Sequence, residues 1–182
     1  MRCYESGNTF RPKVGQQPPG HILADALDEL YKSKPLVIVE TGCLRMEAPI
    51  GEFADGWSTL YIAQWIREHP DCEFHSVDLS ANAIGIAHDK LENALLAKYC
   101  TFHCQDSLKF LGGMTWIDFA FLDSCDGLEH GVDEFRLAAS AGASVIVMDD
   151  YQTKAAWAVK EARELGWQYE QRERYSILKR PN

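Results

Sequence analysis

Five short strand-like runs recur along this chain: "PLVIVET", "EFHSVDLS", "CTFHCQ", "WIDFAFLDS" and "ASVIVMDD". Each is followed by a stretch with helical spacing, from "STLYIAQWIREH" and "ANAIGIAHDKLENALLAKY" through "DSLKFLGG" and "GVDEFRLAASAG" to "TKAAWAVKEARELG". Strands that alternate with helices at this spacing imply right-handed crossovers, a mainly parallel sheet and helices on both of its faces. The continuously apolar first and last runs fit strands covered on both sides. The tail, "WQYEQRERYSILKR", reads as two further strands joined by a tight turn, so the sheet is expected to have seven strands and to close with an antiparallel hairpin. The fold class is α/β, doubly wound.

Ahead of this alternation, "NTFRPKVGQQPPG" is an irregular arm, and "HILADALDELYKS" carries apolar residues at helical spacing (Ile22, Leu23, Ala26, Leu27, Leu30) before Pro35 closes it. The expected division is an arm and helix at 1–34 and one globular domain at 35–182, with no internal repeat. A net charge of −9 disfavours broad binding to a phosphate backbone, so no nucleic acid partner is expected. The start "MRCYESGNTF" lacks a basic segment followed by an apolar one, and no apolar run is long enough to span a bilayer. A cytoplasmic protein without membrane contact is expected. Its six cysteines include no CxxC pair, which disfavours a zinc site or a disulfide scaffold.

In an open α/β sheet, ligands bind beyond the carboxyl ends of the strands. Those ends offer Glu40-Thr41-Gly42, then Asp78-Leu79, Gln105-Asp106-Ser107, Asp123-Ser124 and Asp149-Asp150. A carboxylate after the second strand, here Asp78, can accept both hydroxyls of a ribose, or can simply begin a helix. Gly42 and Asp78 stand 36 positions apart, where about 20 is usual. The stretch from Gly42 to Gly56 exceeds a compact turn by roughly ten residues, and removing that excess brings the spacing near the usual value. The segment 44–55 therefore reads as an insertion in one cofactor turn, a lid or an inert excursion. Gly56 would let backbone pass close to a ligand, while Ser58 or Thr59 would cap the next helix and attract an anion. Asp106 and Ser107 suit either an adenine amino group or a plain helix cap.

Asp123, Asp149 and Asp150 form a second constellation. Carboxylates gathered at one mouth of the sheet repel one another. A hard cation such as Mg²⁺ would neutralise them, and so would basic side chains.

Taken together, "VIVETGC…DGWST", "HSVDLS", "CQDSLKFL" and "IDFAFLDS" resemble the motifs of class I S-adenosylmethionine-dependent methyltransferases, a Rossmann-like fold, over roughly Pro35 to Lys179. "FLDS" with "VIVMDDY" resembles the metal-dependent O-methyltransferases of the catechol and macrolide-sugar types. The resemblance implies cofactor contacts from Glu40, Thr41, Gly42, Gly56, Ser58, Thr59, Asp78, Leu79, Asp106, Ser107 and Asp123. It implies metal ligation by Asp123, Asp149 and Asp150, with Asp123 at the catalytic centre, and Asp126 or His130 is a candidate to take the acceptor's proton. The chain departs from the catechol type at Asp150, where that type has Asn, and at Asp126, where it has a Lys base. Lys154 is a further candidate for the proton. The activity implied is O-methylation of a small hydroxylated acceptor, assisted by Mg²⁺. The alternatives are an NAD(P)- or nucleotide-sugar-dependent enzyme, or a non-catalytic cofactor-binding domain. Trp57, Trp116 and Tyr151 are either acceptor-pocket walls or core. Few additions to the sheet remain to select an acceptor, so a homodimer that shares walls is one expectation.

Overall fold

The strand Phe119–Leu122 (β4) shows how the sheet divides the core. Phe119 and Phe121 point to one apolar layer, and Ala120 and Leu122 to the other. All four are buried, as the period-two geometry of a strand covered on both faces requires. The same alternation runs along Val145–Met148 (β5). The computed structural model describes residues 19–32, 34–45, 57–125, 127–150 and 152–181. The arm, most of the 44–55 insertion, Gly56, Asp126 and Tyr151 lie outside the described residues.

The other strands are Val37–Thr41 (β1), Glu73–Asp78 (β2), Thr101–Cys104 (β3), Gln168–Arg172 (β6) and Tyr175–Lys179 (β7). They form one seven-stranded sheet in the order β3-β2-β1-β4-β5-β7-β6. β7 runs antiparallel to both of its neighbours, β5 and the edge strand β6. The hairpin is thus as expected. Its reversed strand is an inner one, however, and contributes Ile177 and Leu178 to the two core layers.

Helices Pro19–Leu30 (α1), Ser58–Glu68 (α2) and Ala81–Asn93 (α3) cover one face. Ser107–Gly113 (α4), Leu128–Ser140 (α5) and Ala155–Glu164 (α6) cover the other. Ile22, Leu23, Ala26 and Leu27 of α1 enter the first layer, following their helical spacing.

One helix is shorter than its pattern. The periodicity predicts α3 running on through Leu95 to Tyr99, but it ends at Asn93. Leu95 turns to φ +59, its N–H meets the Glu92 carbonyl, and the Leu96 N–H meets the Leu91 carbonyl. This is a Schellman stop, normally given to glycine because a left-handed residue crowds its own Cβ. α5 and α6 end in the same way at Gly142 and Gly166. Leu91 and Leu96 are both buried in the first core layer, the apolar pairing that accompanies such a stop, and Leu95 is left 84% exposed.

Candidate functional site

The carboxyl ends of β1 and β2 meet at Gly42. Its φ is +82, and a side-chain carbon there would lie 2.3 Å from the Asp123 carbonyl oxygen. Only glycine therefore lets this turn pass across the end of β4. The Gly42 N–H donates to the Val77 carbonyl at 2.8 Å. The next N–H, of Cys43, donates to Asp78 Oδ2 at 3.2 Å, while Asp78 Oδ1 accepts from the Ser80 N–H at 2.8 Å. Asp78 is half-buried, beside the turn that the spacing argument pairs with it. Leu79, the next residue, is 75% exposed. Thr41 Oγ1 is buried without a hydrogen-bond partner.

Glu40 faces inward. It is fully buried and accepts from three hydroxyls, Ser58 at 2.5 Å, Ser76 at 2.6 Å and Thr59 at 2.7 Å. Burial wins over those donors and pushes its carboxyl up to about 7, with the Asp123 charge adding to the rise. Ser58 and Thr59 therefore do not cap α2. Trp57 holds the cap position with no side-chain bond, while the two hydroxyls tie the first turn of α2 to β1 and β2. Thr59 Oγ1 also accepts from the Leu44 N–H at 3.1 Å, fixing the entry to the insertion. Gly56, the other half of the turn, lies outside the described residues.

Asp106 caps α4, accepting from the Lys109 N–H at 2.9 Å. Ser107, Ser124, His130 and Glu134 form a network behind it. His130 Nε2 lies 3.0 Å from Ser107 Oγ and 3.1 Å from Ser124 Oγ, and Ser124 donates to Glu134 Oε1 at 2.6 Å. The single proton of the Ser124 hydroxyl is thereby spent on Glu134, so Nε2–H is the donor toward Ser124. The Glu134 carboxylate, 3.6 Å from Nε2, raises the His130 pKa against the effect of burial. Glu134 is only 2% exposed, and sequence reasoning passed over it. Its signal was present, because His130 and Glu134 stand four apart on one helix face.

The three carboxylates at the ends of β4 and β5 do come together, but with cations between them. Asp123 Oδ1 pairs with the Lys154 ammonium, and both side chains are buried. Both oxygens of Asp149 are held by the Arg174 guanidinium, which also lies 3.1 Å from Asp150 Oδ1. Arg174 comes from the turn between β6 and β7, far along the chain, and no sequence signal points to it. Burial, with the neighbouring Asp149 charge, moves the Asp123 carboxyl up to about 6 despite Lys154 and Arg45. Burial likewise raises Asp149 against the pull of Arg174.

This arrangement does not fit Mg²⁺. A hard cation needs several oxygens free to converge on it, and among the described residues no group of three or more such donors stands ready for a metal. The expectation of Mg²⁺ finds no support here, and pairing with basic side chains takes its place. Arg45, Asp123, Ser124, Cys125, Asp150, Lys154 and Arg174 line a polar cleft of about 200 Å³. His130 is not part of that lining, and Asp126 lies outside the described residues. The five described cysteines are free thiols. Among the described residues, no helix is long and apolar enough to cross a membrane.

No family model matches the chain, and no curated protein matches it in sequence. Solved structures match in fold. TrmN from Thermus thermophilus superposes with a TM-score of 0.59 at 16% identity over 87% of this chain, which spans only 47% of that protein. TomG from Streptomyces achromogenes, an O-methyltransferase of tomaymycin synthesis solved with S-adenosylmethionine, gives 0.64 at 17% identity over 90% of this chain and 79% of TomG. A Clostridium thermocellum protein described as a candidate rRNA methylase gives 0.60 at 14% identity over 87% of this chain and 94% of its own. Such neighbours range from tomaymycin synthesis to a candidate rRNA methylase, so the fold does not exclude a nucleic acid acceptor. That expectation rests on charge alone. The strand order, the reversed β7 and these superpositions agree: the chain has the fold of class I S-adenosylmethionine-dependent methyltransferases.

Proposed function

We propose that this protein is an S-adenosylmethionine-dependent methyltransferase acting on a small hydroxylated molecule. The observation that supports this best is Asp78, a half-exposed carboxylate at the end of β2, bonded to the glycine turn that leaves β1. In that position it accepts the two ribose hydroxyls of a nucleoside. Gly42 keeps the floor of the site free of side chains, and the unpartnered Thr41 hydroxyl supplies a further polar contact. Leu79 offers an apolar surface to an adenine ring, and Asp106 an acceptor to its amino group. Glu40, Ser58 and Thr59 act from below, by holding the first turn of α2 against the sheet.

The cofactor supplies a methyl group on a positively charged sulfur, so the task left to the protein is alignment and proton removal. Asp123 fits the second task. It lines the cleft at the end of β4, next to the Gly42 turn, and takes the proton that the acceptor oxygen releases on methylation. His130 is committed to Ser107, Ser124 and Glu134, which suits a role in bracing the β4 end against α4 and α5. The net charge of −9 supports a small acceptor over a polyanion.

The test is transfer of labelled methyl from S-adenosylmethionine to three acceptor sets: hydroxylated small molecules, RNA transcripts and proteins. Label in the small-molecule set alone is expected. Label in RNA alone would overturn the acceptor class while leaving the reaction intact.

A further inference from the structure

The acids at the ends of β4 and β5 are already paired with basic side chains of the chain itself. Lys154 holds the N-cap position of α6, the helix that follows β5, and it is 3% exposed. A lysine buried this deeply needs a carboxylate partner, and Asp123 provides one. Arg174 reaches in from the β6–β7 turn with a planar fork that matches the two oxygens of Asp149. Its remaining reach extends to Asp150. Two cations from two separate elements therefore divide three carboxylates between them. All of these groups except Asp149 line the polar cleft, so a ligand entering it meets Lys154 and Arg174 directly.

We propose that Lys154 and Arg174 are the resident cations of this site, and that they make it independent of divalent metal. They do the electrostatic work that a metal ion would do at the strand ends: they keep three clustered carboxylates apart in energy and present positive charge to the acceptor. The backbone agrees with this reading. At Gly131 a side-chain carbon would lie 2.6 Å from the Lys154 carbonyl oxygen, so α5 is held close to the start of α6, where Lys154 emerges. The inference concerns the same cleft as the methyltransferase reading and rests on that reading only for the identity of the ligand.

The experiment is Mn²⁺ titration of the whole protein, read by the electron paramagnetic resonance of free Mn²⁺. Affinity for S-adenosylhomocysteine is measured on the same samples, so a failure of the cofactor reading is seen separately. The wild type is expected to leave Mn²⁺ free. The Lys154→Met, Arg174→Met double variant is expected to bind it about tenfold or more tightly, because its three carboxylates have lost their partners. Circular dichroism checks that this variant folds, and where it does not, Lys154→Gln and Arg174→Gln singly serve the same comparison. Tight Mn²⁺ binding by the wild type, lost in Asp123→Asn and in Asp149→Asn, would overturn the proposal.

Discussion

The Lys154 ammonium and the Asp123 carboxylate meet inside the protein, one from the first residue before α6 and the other from the end of β4. Removing one member of a buried pair leaves the other charge unpaired in a medium that solvates it poorly. Lys154→Met is therefore expected to destabilise the fold by roughly 3 kcal/mol in urea unfolding, and adding Asp123→Asn to recover much of that loss. Additive single and double changes would show that the two groups do not interact.

The Ser107–Ser124–His130–Glu134 network predicts a titration. The Glu134 carboxylate beside the imidazole raises the His130 pKa above the usual 6.5. A base raised in the folded state stabilises most fully below the unfolded pKa, and that stabilisation fades as pH climbs through the folded one. In an NMR titration His130 is expected to lose its proton above pH 6.5, and Glu134→Gln to move the midpoint down. A midpoint that Glu134→Gln leaves in place would remove Glu134 from the account.

Glu40 predicts the opposite trend for an acid. Its folded pKa of about 7 lies above its ordinary 4.5, so the folded protein holds this proton more tightly than the unfolded chain. Stability is then lost as pH rises from about 4.5 to about 7, and the loss is complete above that window. Glu40→Gln lacks this titration. Whatever constant offset it carries, its stability relative to wild type is expected to improve by roughly 3 kcal/mol across the window. Parallel stability curves for the two proteins would contradict the burial argument.

At the end of α3, Leu95 holds a left-handed backbone with its side chain in water. Leu95→Gly is expected to raise stability by about 1 kcal/mol, the left-handed strain it relieves outweighing the entropy glycine adds to the unfolded chain. A thermal or urea midpoint that falls would show that the strain is smaller than the lost entropy.

The sheet was legible because its signals are local and repeated: period-two burial in β4 and β5, helical spacing in α1 and α2, and a glycine stop on α6. Leu95 misled because its spacing continued the helix, while a backbone turn and the burial of Leu96 ended it. At the site, the glycine turn and Asp78 could be paired from spacing, and the structure brings them into contact. The fate of the acids could not be read in the same way. Whether Asp123, Asp149 and Asp150 face a metal or a side chain depends on Lys154 and Arg174, and Arg174 reaches Asp149 only through the return of β7 beside β5. Long-range partners of this kind have no periodicity to betray them.

Binding of S-adenosylmethionine is the property from which the proposed activity follows. Calorimetric titration of S-adenosylhomocysteine into wild type and into Asp78→Ala and Asp78→Asn, each shown folded by circular dichroism, tests it most directly. Binding by the wild type and a loss of at least about tenfold in both variants are expected, since each removes the charged acceptor for the ribose hydroxyls. No binding by the wild type, or equal affinity in all three proteins, would contradict the assignment.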